Sequence, residues 1–209
     1  MLLEVEIPDV DLDVSDRDKA LGSLRGFVQA SQFNNGIASP HNSGVYFQRI
    51  PVDPTNSLSA FPFKEAEYMG FFKVDIIPNH VYDLVESNDE LDELIEAPID
   101  WDWFLDTQFY INEDSRYTLT HLGRHHALCC QYPPQSVNDL AALLALIRPR
   151  KRYLIGRSWD EILEVVWQQL DDEDDVYFFK KSHGIAFGVL VAVHAKLIAR
   201  HLKLPVPAA

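Results

Sequence analysis

Cysteine is scarce in this chain, and the two that exist, Cys129 and Cys130, are neighbours. Adjacent residues do not present their Cβ atoms face to face as a disulfide requires. The spacing therefore excludes a disulfide-stapled fold and predicts a reducing compartment. Long apolar runs are also missing. The most apolar stretch, near Gly184 to Ala195, has Lys181, His183 and His194 in or beside it. It falls short of the roughly 18 to 20 uninterrupted apolar residues that cross a bilayer, and it reads as a buried helix. The opening Met1 to Asp13 turns acidic at once with no basic segment, so no secretory signal is expected. These absences predict a soluble, cytoplasmic protein. Internal repeats and low-complexity segments are absent as well.

Positive charge is the last shortage: 18 Lys and Arg face 32 Asp and Glu, a net charge of −14. Phosphate neutralisation supplies most of the affinity of a protein that grips duplex DNA unaided, so strong autonomous duplex binding is not expected. The acids concentrate in Glu86 to Asp106 and in Asp171 to Asp175. The bases concentrate in Arg148, Arg150, Lys151, Arg152 and Arg157, and in Lys180 and Lys181. The acidic run from Asp171 reads as a solvated linker.

What is present is 209 residues, 47% of them hydrophobic, enough for one large domain or two small ones with proper cores. Residues 2 to 14 alternate with the period of a half-buried strand, interrupted by Pro8. Asp16 to Ala30 has helical spacing behind a Ser15 or Asp16 cap. Ser31 to Ser43 reads as a loop, Gly44 to Ile50 as a strand, Pro51 to Pro62 as a loop and Met69 to Ile77 as a strand. Beyond Asn79 the pattern turns helical. His80 to Ile95 is one helix or two short ones, and Pro98 to Tyr117 is aromatic-rich and irregular. Helices are expected over Leu119 to Cys130, Ser136 to Ile147, Ser158 to Leu170 and Ser182 to Lys203. The expectation is an α+β fold, with an α+β unit over 1–80 and a helical unit over 81–209.

The densest chemical pattern is Asp9-x-Asp11-x-Asp13, with Asp75 on a second strand. Residues two apart on a strand share a face, so these carboxylates form a row that repels itself unless a cation sits among them. Two of them with a third from a neighbouring strand would hold two Mg2+ ions, with Mn2+ as a substitute. Such sites stabilise the attacking and leaving oxygens of phosphoryl transfer. On spacing alone, an acidic edge strand that deters edge-to-edge pairing is an equal reading.

His121, His125 and Cys129 are spaced four apart. On one helical face they would suit zinc, although a helix that packs its cysteine inward gives the same spacing. Trp101-Asp102-Trp103-Phe104 and the pair Phe61 and Phe63 read as core rather than as base-stacking platforms.

Five ordered segments then resemble the bacterial DNA polymerase III alpha subunit, the C family of DNA polymerases. Pro8-Asp9-Val10-Asp11-Leu12-Asp13 is similar to its paired-aspartate motif, and Ser15-Asp16-Arg17 to the turn that follows. His41-Asn42-Ser43-Gly44-Val45-Tyr46-Phe47 is similar to its H-x-x-G strand. Glu67 to Ile77 resembles its E-x-x-G-x-x-K-x-D segment, and Asp139 to Pro149 its D-L-A-A helix with Arg-Pro. Phe179-Lys180-Lys181-Ser182-His183 resembles its F-N-K-S-H. The resemblance implies a palm of the polymerase-beta-like nucleotidyltransferase type, catalytic and metal-binding roles for Asp11, Asp13 and Asp75, and substrate contacts from Arg148, Lys181 and His183. Primer–template DNA and dNTP would be the ligands.

The chain departs from the family at several points. The Gly-Ser motif and most of the fingers insertion have no counterpart. Asp75-Ile76-Ile77-Pro78 replaces Asp-Phe-Leu-Gly, Arg150 replaces a glycine, and Lys180 an asparagine. Three functions follow as expectations: magnesium-dependent nucleotidyl transfer to a primer 3′-hydroxyl, a catalytically silent polymerase-derived protein that binds replication proteins, or a metal-dependent nuclease using the same carboxylates.

Overall fold

The computed structural model describes residues 10–34, 36–168 and 179–205. Asp9, the first carboxylate of the row, and the acidic run Asp171 to Asp175 lie outside the described residues. The architecture is α+β, and the chain divides into two compact units, Met1–Asp83 and Leu84–Ala209.

Unit 1 is built on a five-stranded mixed sheet: β1 (Val10–Val14), β2 (Val28–Asn34), β3 (Ile37–Tyr46), β4 (Leu58–Pro62) and β5 (Val74–Pro78), in the order β1-β5-β3-β2-β4. The β1–β5 and β2–β4 pairs are parallel, while β2–β3 and β3–β5 are antiparallel. Two short helices join the strands, α1 (Arg17–Ser23) and α2 (Phe63–Tyr68). The side chain of Asp16 caps α1 by accepting from the Lys19 N–H.

Two sequence expectations fail in this unit for the same reason. The helix expected over Asp16 to Ala30 stops at Ser23, and the loop expected over Ser31 to Ser43 is most of a hairpin, β2 and β3. From Val28 onward the chain joins the sheet, because Val28 and Ala30 pack with Tyr46, Ile50 and Ala66 in an apolar cluster. Strand pairing and burial outweigh local helical spacing there. Gly36, between β2 and β3, supplies the positive φ of 79° that a tight hairpin turn requires. The second loop expected, Pro51 to Pro62, contains β4.

Unit 2 is helical: α3 (Asn88–Glu96), α4 (His126–Gln131), α5 (Val137–Leu146), α6 (Trp159–Val165) and α7 (Lys181–His201), with short 3-10 turns between them. Serines cap two of these helices. Ser136 accepts from Asp139, and Ser158 forms a reciprocal capping box with Glu161. The core gathers around α5 and α7, with Leu140, Leu143, Leu144, Val191, Ala195 and Ile198 fully or nearly fully buried. Gly188 allows the close approach. A Cβ at 188 would stand 2.9 Å from the Val137 carbonyl oxygen.

By length and composition α7 passes as a membrane-spanning helix, yet 67% of its apolar stretch is buried in the fold, as for a core helix. The aromatic segment is core too. Trp103 and Phe104 are buried, Trp101 stacks on Phe104, and Trp103 stacks on Phe109. In unit 1, Phe61 packs against the apolar cluster of β2 and β3.

Candidate functional site

The acidic face of unit 1 follows from strand register. β1 and β5 run parallel with Asp11 paired to Asp75 and Asp13 to Ile77. In a parallel pair, partners point the same way, and residues two apart on a strand share a side. Asp11, Asp13 and Asp75 therefore occupy one face. The opposite face carries Val10, Val14, Val74 and Ile76, which join Val45, Ala20, Leu21, Phe27 and Phe72 in an apolar cluster under α1. A one-residue slip would turn the aspartates into that cluster, so burial of the valines enforces the register.

Asp13 is half-buried, and its carboxyl is held above the ordinary range by burial and then by the neighbouring charge of Asp11; a hydrogen bond from Tyr82 pulls it partly back. Asp75 has both oxygens engaged. The Ser43 hydroxyl donates to Oδ1 at 2.7 Å, and the Lys73 ammonium forms an ion pair with Oδ2.

Ser43 reaches that position because β3 is bulged. Between Pro40, paired with Ser31, and Val45, paired with Gln29, β3 carries His41-Asn42-Ser43-Gly44 where β2 carries only Ala30. Bulges re-aim side chains in this way beside functional sites. The bulge is closed by His41, whose Nδ1 accepts the backbone N–H of Gly44 at 2.9 Å and of Ser43 at 3.3 Å. This network assigns the ring proton to Nε2. Burial lowers the His41 pKa, the Lys73 and Arg17 charges lower it further, and Asp75 acts in the opposite direction. Arg17, the first residue of α1, has its Nε and one terminal nitrogen buried with no hydrogen-bond partner among the described residues. The face thus combines three carboxylates with an ammonium, a guanidinium, a neutral imidazole and a hydroxyl.

His41, Ser43, Lys73 and Arg17 belong to this site although sequence reasoning assigned them no role. A signal for Lys73 was available: its spacing of two from Asp75 on a strand gives them a common side.

The donor set fits a divalent cation in chemistry. Hard carboxylate oxygens on one face are the donors that Mg2+ selects. In the arrangement described, Lys73 takes the Oδ2 oxygen of Asp75, and no three His, Cys, Asp or Glu side chains among the described residues close around one point.

Arg148, Lys181 and His183 belong to unit 2. Arg148 precedes a 3-10 turn (Pro149–Leu154), and its guanidinium lies 4.5 Å above the ring of Phe179, with Nε buried and without a hydrogen-bond partner among the described residues. Lys181 opens α7 and is exposed, while His183 is the third residue of that helix and half-buried. Phe179 stacks between Trp167 at 6.4 Å and Phe187 at 6.2 Å, and His121 meets Phe187 edge-on. These three predicted residues therefore gather around the start of α7, flanked by an aromatic column.

The zinc arrangement imagined for His121, His125 and Cys129 is not formed. It required one helix from residue 119, whereas α4 begins at His126, with His125 as its cap and His121 in a turn at φ 58°. Cys129 is buried, and burial pushes its thiol up to about 11, the state of an inert core cysteine. Cys130 is exposed, and neither forms a disulfide.

Comparison with protein-family models, with curated proteins and with solved structures finds no match to this chain.

Proposed function

We propose that the chain is a shortened relative of the C-family replicative DNA polymerases, and that it performs magnesium-dependent nucleotidyl transfer to a primer 3′-hydroxyl. One observation carries the reading: the parallel β1–β5 register that sets Asp11 beside Asp75, with Asp13 on the same side. Asp11 and Asp13 are the pair suited to bridge two cations, and Asp75 is suited to the cation nearest the primer terminus. Bound there, Mg2+ would supply charge stabilisation for the attacking and leaving oxygens. Arg148 and Lys181 offer a guanidinium and an ammonium to a triphosphate, with His183 beside them on α7. A mixed sheet with α1 packed on the face opposite the aspartates is compatible with a polymerase-beta-like palm.

A second reading has its own support. The Lys73–Asp75 ion pair already neutralises part of the acidic face, and the net charge of −14 disfavours unaided DNA binding. Both suit a catalytically silent protein of polymerase ancestry that binds replication proteins. Single-nucleotide extension of a labelled primer–template, with Mg2+ or Mn2+, separates the two. The proposed activity requires extension by the wild type, and its loss by at least a hundredfold in Asp11→Asn and Asp75→Asn. A folded protein that extends nothing, beside a working control polymerase, would leave the binding role.

A further inference from the structure

Lys73 stands one residue before β5, and its side chain is laid over the acidic face. The side chain is 11% exposed and its ammonium pairs with Asp75 Oδ2. Its methylenes cross the space that Gly44 leaves open: a Cβ at 44 would come within 2.4 Å of Lys73 Cδ and 2.8 Å of its Cγ. Gly44 is paired with Asp75 in the sheet, so the lysine passes directly beside the carboxylate it neutralises. Gly44 is not among the glycines with positive φ. Its use at this position is room for Lys73 and, less tightly, for the His41 ring, whose Nδ1 would stand 3.0 Å from that Cβ.

We propose that Lys73 is a built-in occupant of the acidic face, holding Asp75 with its ammonium until a divalent cation displaces it, and so setting the cation concentration at which the site loads. The inference rests on the reading of Asp11, Asp13 and Asp75 as cation ligands and adds to it the residue that controls their occupancy. Ser43 keeps Oδ1 of Asp75, so Oδ2 is the contested oxygen. An ammonium and a divalent cation cannot share that oxygen without strong repulsion at such short range. Lysine suits the role because its charge is compact and its stem flexible. Once released, the ammonium is close enough to the face to meet a phosphate oxygen of the substrate. Without a cation, the ion pair offsets the repulsion of a row of carboxylates.

Binding of Mn2+ alone tests this, read from the electron paramagnetic resonance signal of the free aqua ion. Wild type is compared with Lys73→Met, Gly44→Ala and the double variant Lys73→Met/Asp75→Asn. Lys73→Met is expected to bind Mn2+ about tenfold more tightly than wild type, the scale of one lost competing ion pair. Gly44→Ala, which crowds the lysine off its path without touching a carboxylate, is expected to move in the same direction, and adding Asp75→Asn to remove the gain. Equal or weaker binding by Lys73→Met overturns the inference. Should that variant fail to fold, equal or weaker binding by Gly44→Ala overturns it instead. Primer extension is scored separately. Tighter Mn2+ binding by the variants of a protein that extends no primer upholds the role of Lys73 and defeats the catalytic reading. Extension without any tightening defeats the role of Lys73 alone.

Discussion

Asp13 shows what an acidic face costs at the level of one side chain. Its carboxylate is half-buried beside Asp11, and both burial and that neighbouring charge raise its pKa above 3.8. An acid raised in the folded state destabilises the fold where it is ionised. The cost is full above its folded pKa and disappears as pH falls through that value toward 3.8, where the unfolded chain also takes up the proton. Asp13→Asn is therefore expected to raise the melting temperature in chelator-containing buffer at pH 7, by no more than about 2 °C because solvent screens a half-exposed carboxylate. The gain should shrink toward zero near pH 3.8, and calorimetry across that range checks it. A loss of stability at pH 7 would mean that the carboxylate is better paired than its surroundings suggest.

At the level of elements, α7 is held by polar contacts as well as by its apolar face. His194 is fully buried, accepts the Thr120 N–H at its Nδ1, and bonds the Arg116 carbonyl through Nε2 at 2.7 Å. The Lys196 ammonium donates to the Leu94 and Ala97 carbonyls, satisfying the end of α3. Burial lowers the pKa of that lysine. His194→Leu would strip Thr120 and Arg116 of this partner inside the core. It is expected to destabilise unit 2 by about 2–4 kcal/mol, through the desolvation of buried groups left without the bond. The four tryptophans, Trp101, Trp103, Trp159 and Trp167, all lie in unit 2. Denaturant unfolding followed by tryptophan fluorescence therefore reports the loss. Neither His194 nor Lys196 could be given a partner from the sequence, since each bonds residues about 74 to 102 positions away. The caps of α5 and α6 were legible because Ser136 and Ser158 act within their own helical turn.

At the level of the whole molecule, the charge of −14 sets an expectation for nucleic-acid binding. Non-specific affinity comes mainly from released counterions, and an acidic chain releases few. Fluorescence anisotropy with a duplex primer–template is expected to give a Kd weaker than about 10 μM at 150 mM salt, near the weak end of non-specific binding. The slope of log K against log salt should be shallow. Tight, steeply salt-dependent binding would show that a local basic surface outweighs the net charge. Under either proposed function, weak unaided binding makes a partner protein the natural route to DNA.

The sequence by itself determined the features that depend on neighbours along the chain. These are the alternation that makes β1 a strand with its aspartates on one side, the capped helices α5 and α6, the apolar α7, and the aromatic core around Trp103 and Phe104. Tertiary structure decided the rest, because it depends on which strands meet. Pairing with the sheet turned Val28 to Asn34 and Ile37 to Ser43 from an expected helix end and loop into β2 and most of β3. The β1–β5 register placed Asp75 against Asp11, and the bulge at His41 to Gly44 brought Ser43 onto the carboxylate that Lys73 already meets from two residues away. Strand register and the placement of the bulge are long-range choices, fixed by burial of the opposite apolar face, and no local pattern encodes them.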